Sequence, residues 1–167
     1  VKKWYVLQVM TGRELDICHE LQRVEIDARA PTELRQIRRG GQWHDEERQL
    51  LPGYVFVGVD YEPAIYHRAM SVAGVIRWLG PTIGTPVAID DAEALRWQLD
   101  NPAALRPSTV LLGADGWHVV DGPLKEFEKD ITNMNLRQRR VTVVTTLGGT
   151  PQQIQFGFIP LGAPSNG

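Results

Sequence analysis

The sequence has 167 residues, 43% of them hydrophobic and 23% charged, which suits one medium or two small folded domains and excludes wholesale disorder. With 18 Lys and Arg against 20 Asp and Glu, the formal net charge is −2, which argues against a protein that grips nucleic acid through a global basic excess. Cys18 is the only cysteine, so an internal disulfide framework and a multi-cysteine zinc site are excluded. No apolar run approaches the roughly 18 residues that span a bilayer, and the Lys2-Lys3-Trp4 start lacks the apolar core of a signal peptide. A soluble cytoplasmic protein with no membrane partner is expected.

In chain order, Trp4 to Val9 reads as a buried strand, and Thr11-Gly12-Arg13-Glu14 has the form of a capping box. Thr11 is expected to accept from the Glu14 amide, and Leu15, Cys18, Leu21 and Val24 then give the helix one apolar stripe. A second strand region runs from Ala28 through Ile37, turns at Arg38-Arg39-Gly40-Gly41 and returns through Trp43 to Gln49. Pro52-Gly53 introduces an almost wholly apolar strand, Tyr54 to Val59. Pro63 opens a short helix through Ile65, Ala69 and Met70, and Gly74 is placed to stop it. Val75 to Leu79 is another strand. Asp90 as N-cap, with Glu93 three residues on, begins a third helix whose Ala92, Leu95 and Leu99 are expected to face inward.

Charge does not mark a domain boundary: residues 1–100 hold 12 Lys and Arg with 15 Asp and Glu, and the remainder holds 6 and 5. Punctuation does, in Asn101-Pro102, Pro107-Ser108 and Gly113-Ala114-Asp115-Gly116. The expected organisation is a domain over 1–100, a linker over 101–112, a second domain over 113–161 and a disordered tail over 162–167. The first domain predicts an α/β sandwich, an antiparallel sheet with three helices. The second has no helical period; Trp117 to Val120, Asp130 to Met134, Arg140 to Thr145 and Gln153 to Phe158 suit a small antiparallel barrel. The fold class is α+β.

No catalytic residue, metal ligand or cofactor site is assigned. Cys18 and His19 point about 100° apart on their helix and cannot pair as nucleophile and base, and Cys18 belongs to the apolar stripe. His19-Glu20 lacks the second histidine of a zinc-binding helix, since Arg23 stands there. His44, Asp45, Glu46 and Glu47 flank a turn in a charged hairpin, His67 and His118 are isolated, and Gly148-Gly149 lies between strands, the wrong context for a phosphate loop.

Three features remain as recognition surfaces. Trp4, Tyr5, Leu51, Tyr54, Phe56 and Trp78 stand on adjacent strands, where core packing and a partner-binding patch both account for them. Arg35, Arg38 and Arg39 occupy a glycine-containing hairpin. Arg137, Arg139 and Arg140 sit at a turn of the second domain, with Glu126, Glu128 and Asp130 near in sequence.

Trp4-Tyr5-Val6-Leu7-Gln8-Val9, Thr11-Gly12, Pro31-Thr32-Glu33, Ile37-Arg38-Arg39-Gly40-Gly41 and Glu47-Arg48-Gln49-Leu50-Leu51-Pro52-Gly53-Tyr54-Val55-Phe56-Val57, in this order, resemble the NusG family of transcription elongation factors. Ser71-Val72, Val75 to Gly80 and Ala88-Ile89-Asp90-Asp91 continue the likeness. Val119-Val120-Asp121-Gly122-Pro123-Leu124 and Arg139-Arg140-Val141-Thr142-Val143 resemble the KOW module that follows in that family. The resemblance implies an NGN-like first domain and an SH3-like KOW β-barrel. It implies that Trp4, Tyr5, Leu51, Tyr54 and Phe56 face, or support a face for, RNA polymerase at the clamp helices of its largest subunit. By the same resemblance Arg77 and Trp78 lie toward non-template DNA, and the KOW barrel reaches nascent RNA, a ribosomal protein or a termination factor.

Leu51 stands where the housekeeping members have Phe, Arg77 where they have Gly, and Glu126 and Lys129 replace habitual KOW glycines. The Trp-Tyr-Val-Leu, Gly-Pro-Leu-Lys and Arg-Gln-Arg-Arg-Val segments resemble the specialised LoaP-type antiterminators. The expected function is a monomeric elongation or antitermination factor without enzymatic activity. The alternative is a polymerase-independent KOW protein that binds structured RNA. For either, the basic points are Arg35, Arg38, Arg39, Arg77, Arg137, Arg139 and Arg140.

Overall fold

A computed structural model describes residues 1–101 and 104–162. Pro102 in the expected linker and residues 163–167 of the expected tail lie outside the described residues. The chain forms two compact units: Val1–Pro31 with Leu51–Pro102 and Thr146–Gln152, and Thr32–Leu50 with Ala103–Thr145 and Gln153–Gly167. The fold is α+β, with all three α-helices in the first unit.

In that unit β1 (Lys3–Val9), β2 (Asp27–Arg29), β5 (Tyr54–Val59) and β6 (Val75–Trp78) form an antiparallel sheet in the order β2-β5-β1-β6. Side chains alternate across a strand, so Leu7 and Val9 of β1 join Val55, Val57 and Val59 of β5 on one face. Ile17, Cys18 and Leu21 of α1 (Glu14–Arg23) and Ala69 of α2 (Pro63–Met70) complete that core. Leu15 is 52% exposed, so the apolar stripe of α1 turns on Ile17 in its place. Pro63 opens α2 as its pattern predicts, but the helix ends at Met70 and Gly74, at φ 96°, lies in the turn before β6.

The capping box is only half realised. No side chain caps α1; the Glu14 carboxylate instead accepts from the Gly12 amide at 3.0 Å and from the Gly53 amide at 2.8 Å. Gly53 adopts φ 90° in a turn closed by the Tyr54 amide donating to the Leu51 carbonyl at 3.0 Å, with Pro52 leading it, the requirements of a type II turn. One buried carboxylate thus ties the start of α1 to the turn that launches β5.

The opposite face carries Trp4, Val6 and Phe56, all buried. The chain beyond β6 runs beside β1, the Leu79 amide donating to the Val6 carbonyl at 2.8 Å and the Ile89 amide to the Trp4 carbonyl at 2.9 Å. Asp90 then caps α3 (Asp91–Arg96), accepting from the Glu93 amide at 2.8 Å. Leu95 is 72% exposed and Ala92 is exposed, against expectation; the anchor is Trp97, just past the helix, fully buried with its ring centroid 5.5 Å from Phe56. Leu99 is buried as its spacing predicts.

In the second unit, β3 (Thr32–Arg39) pairs with β4 (Gln42–Gln49) in unbroken register from Thr32↔Gln49 to Arg39↔Gln42. Gly40 and Gly41, at φ 57° and 78°, supply the two left-handed residues of a two-residue hairpin turn. A five-stranded sheet in the order β8-β7-β11-β10-β9 is built from β7 (Ser108–Gly113), β8 (Gly116–Asp121), β9 (Ile131–Asn135), β10 (Arg140–Leu147) and β11 (Thr150–Leu161), all but Thr146–Gln152 at the β10–β11 turn belonging to this unit. Two expectations change here. Residues 108–112, expected in the linker, belong to β7, and β7 runs parallel to β11, so the sheet is not wholly antiparallel. The apolar Val110-Leu111-Leu112 run, masked by the flanking prolines and glycine, is the signal for that strand.

Around Glu126 and Lys129 the chain forms a 3-10 helix over Pro123–Asp130 that buries Leu124 and Phe127, the latter 5.0 Å from Phe156. Gly122 precedes it at φ 101°, and a Cβ there would meet Ser108 Cα at 2.4 Å. Ser108 Oγ accepts from the Leu124 amide at 2.8 Å, fixing the helix against β7.

Glu14→Ala strands two backbone amides and is expected to lower the unfolding free energy by about 3 kcal/mol, measured by urea denaturation. A cost within ~0.5 kcal/mol, the usual range for a surface substitution, would contradict the tie between α1 and the Leu51–Tyr54 turn.

Candidate recognition interface

Strand alternation separates the aromatic residues singled out in the sequence. Tyr5 lies on the helix-covered face, 5.6 Å from both Tyr61 and Trp78 by ring centroids, whereas Trp4, Tyr54 and Phe56 belong to the other face. Burial first, then the neighbouring Tyr61 and Asp60, raise the Tyr5 hydroxyl above its usual pKa. Leu51 is 3% exposed inside its turn, and Phe56 is enclosed beneath Trp97. Trp4 packs across Gly58, where an added Cβ would come within 3.0 Å of the indole, and Lys2 and Arg29 lie over its ring at 4.9 and 5.6 Å. Trp4, Leu51 and Phe56 are therefore supports, not contact groups.

What this face presents is a row across three strands. Tyr54 of β5 pairs with Gln8 of β1, Gln8 pairs with Arg77 of β6, and all three are half-buried. Arg77 Nε donates to Gln8 Oε1 at 2.7 Å, which holds the guanidinium against the strand. The row joins an aromatic hydroxyl, an amide and a cation on one face of the sheet, a composition suited to a protein partner. Trp78, expected to stack on a base, is 2% exposed; Tyr5, Tyr61 and Tyr66 surround it and its Nε1 donates to the Tyr66 carbonyl at 3.4 Å. It is a core residue, on the opposite face from Arg77.

The arginines of the second unit also divide. Arg35 is buried: its Nε donates to Glu33 Oε1 at 2.8 Å and its Nη2 to the Gln155 carbonyl at 2.5 Å. Glu33 Oε1 also accepts from the Gly157 amide at 2.6 Å, and a Cβ on Gly157 would meet Arg35 Cγ at 2.7 Å. Arg35 is thus a structural ion-pair partner, removed from the surface where a nucleic-acid contact was expected. Burial pushes the Glu33 carboxyl up to about 7, against the pull of Arg35 and the Gly157 amide. Arg39, at the hairpin tip, pairs with Glu46 at 2.5 Å, and Arg48 holds the other oxygen of Glu46 at 2.6 Å.

Arg38, Arg137, Arg139 and Arg140 differ. Among the described residues none of them forms an ion pair with a carboxylate. Arg139 donates to Gln36 Oε1 at 2.5 Å, and Arg140 to the carbonyls of Gln36 at 3.1 Å and Gln138 at 3.0 Å. Cys18 is buried, its thiol pushed up to about 12 by that burial, consistent with a core role. Sequence reasoning placed Glu14 in the capping box but missed its bond to the Gly53 amide, and it missed Trp97 and the Gln8 contact; for Trp97 the signal was a large aromatic just beyond a short helix, and for the two long-range contacts none was local.

A family model described as "Transcription termination factor nusG" matches residues 2–98. The chain belongs to the NusG family. The "Transcription termination/antitermination protein NusG" of Escherichia coli (strain K12) is 30% identical over 175 residues, covering 95% of each chain. The protein of the same name from Pseudomonas aeruginosa is 28% identical over 172 residues, covering 95% of this chain and 97% of that one. A solved structure described as "Domain interaction in Thermotoga maritima NusG" superposes with a TM-score of 0.57 at 20% identity over 94% of each chain, so the NusG fold extends through both units.

Folding lifts the Glu33 carboxyl from its ordinary 4.5 to about 7, so the folded chain holds a proton that the unfolded chain releases. That contribution to stability is complete below pH 4.5 and is lost as pH rises through 7. Denaturation across this window is expected to show the falling slope in the parent protein and its absence in Glu33→Gln. The variant carries an uncharged isostere of the protonated carboxyl, so its stability relative to the parent is expected to rise as pH passes through 7. Equal slopes in the two proteins would contradict the assignment.

Proposed function

We infer that this NusG-family protein is a transcription elongation and antitermination factor that acts in the cytoplasm by binding RNA polymerase, without catalysis. Family likeness along almost the whole chain carries this reading. The polymerase contact is assigned to the face bearing Tyr54, Gln8 and Arg77, docked on the clamp helices of the largest subunit. Trp4, Leu51 and Phe56 stiffen that face from within, and Tyr5 braces the sheet from its other side. Binding that favours a closed clamp shifts the polymerase population away from paused states, which needs no chemical step. Arg77, at the edge strand β6, is the group on this face suited to a phosphate of non-template DNA. The KOW-like sheet is the adaptor toward nascent RNA, a ribosomal protein or a termination factor.

A second reading, recognition of structured RNA without polymerase, is favoured by one observation: among the described residues Arg137 and Arg139 form no ion pair with a carboxylate, and Arg140 feels Glu33 only at longer range. Affinity capture with the purified full chain separates the two, because only the first expects stoichiometric polymerase subunits.

Tyr54→Ala is expected to weaken binding to core polymerase at least about tenfold, measured by biolayer interferometry, with an unchanged melting temperature. Arg77→Ala is expected to preserve that affinity and weaken binding only to an elongation complex with an exposed non-template strand. Leu51→Asp is not an informative surface variant, since it would bury an unpaired carboxylate and unfold the unit. Wild-type affinity for polymerase in Tyr54→Ala would remove the assigned face.

A further inference from the structure

The hairpin β3–β4 and the β9–β10 turn, distant in sequence, fold into the same compact unit and enclose one pocket. Ile37, Arg38, Trp43, Arg137, Gln138 and Arg140 line its volume of about 290 Å³. Three of these six residues are arginines and none is acidic. Arg38 and Trp43 are direct cross-strand partners, so both project on one face of the hairpin. Arg139 sits over the Trp43 ring at 3.9 Å from its centroid and Arg38 at 5.7 Å, fixing the indole by cation-π contact.

The turn that delivers the other cations is itself ordered. Gln138 N donates to Asn135 Oδ1 at 3.0 Å, Arg139 takes a left-handed φ of 57°, and Arg140 is held by two carbonyl oxygens. Arg137 and Arg38 are exposed. Burial, and then the charge of Arg38, lower the Arg139 pKa from its ordinary value, so the cations repel one another in the free protein. Asp45 lies on the same hairpin face, two pairs farther from the turn, and among the described residues makes no ion pair with them.

We propose that this pocket binds single-stranded nucleic acid, Arg38, Arg137 and Arg140 taking a backbone phosphate and Trp43 taking the adjoining unpaired base. The guanidinium fork matches phosphate oxygens in a way a point charge does not, and Trp43 offers every base the same π-surface, so the site reads phosphate and stacking and not sequence. A duplex keeps its bases stacked inside and cannot supply the second contact. An acidic peptide supplies neither the tetrahedral anion nor the planar ring. The proposal does not depend on polymerase binding.

The test is fluorescence anisotropy of the full chain with labelled octauridylate RNA and octathymidylate DNA from 50 to 300 mM salt, roughly the span over which phosphate contacts weaken most. Arg38→Gln with Arg137→Gln, two exposed side chains, is expected to make the slope of log affinity against log salt shallower by about 1.4. Trp43→Ala is expected to lose about tenfold for single strands, and Trp43→Phe to keep most of the affinity. Asp45→Asn is expected to tighten binding by about twofold. The stronger of the RNA and DNA arms assigns the sugar. An unchanged slope in the double arginine variant, equal affinity for an eight-base-pair duplex, or equal affinity for octaglutamate would each overturn the proposal. Because Tyr54 lies outside the pocket, a double arginine variant that still binds polymerase but not RNA separates this site from the polymerase face.

Discussion

The alternation of side chains along β1 and β5 governs the first unit. Both strands sit in the middle of the sheet, so neither can slide by one residue without sending Leu7, Val9, Val55 and Val57 to the wrong face. That constraint puts Tyr5 among tyrosines and Trp78 on one side, and leaves Gln8 and Tyr54 paired on the other. The recognition row is the remainder of a packing problem: Trp97 packs on Phe56 and the Ile89 amide bonds the Trp4 carbonyl, while Gln8, Tyr54 and Arg77 stay half-buried.

Charge is organised by the same economy. Arg35 and Glu33 are both buried, bonded to each other and each to one backbone group, an arrangement that specifies geometry more than it adds stability. In Arg139 and Arg140 the hydrogen-bond partners are neutral oxygens, which orient the guanidinium groups, and of the two only Arg140 also feels the charge of Glu33. The two outcomes differ in what a nearby anion can gain, though the arginines look alike in a list of residues. The total of −2 conceals this, because it averages a neutralised interior over a basic turn.

Much of the fold was legible because its signals are local. The Asp90 cap, Pro63 at the head of α2, the Pro52-Gly53 turn and the Gly40-Gly41 hairpin each follow from two or three adjacent residues. Leu15, Leu95 and Ala92 were misplaced because a short helix fixes its phase poorly, and the burial of Trp97 outweighs that of Leu95. Strand β7 forms a hairpin with β8 through Ala114-Asp115, but Pro107 and Gly113 at its ends read as linker punctuation, and its second partner β11 lies far along the chain and pairs in parallel. For the interface, residue type identified the arginines and aromatics, but only the three-dimensional pairing of Gln8 with Tyr54 and Arg77, and the grouping of Arg38 with Trp43, says which of them face outward together.

The two glycines at the end of β3 have a geometrical consequence of their own. Each strand of the ribbon carries eight residues, and the two-residue loop leaves no slack to absorb a change in length. The loop therefore acts as a phase setter: an odd insertion between Arg35 and the turn would invert the tip relative to the base. Arg38 and Trp43, held opposite each other by the loop, would turn together to the other face while Glu33 stayed with Arg35. Relatives with hairpins of different length can keep the buried anchor at its base and still differ in what the tip displays, according to whether the difference is even or odd.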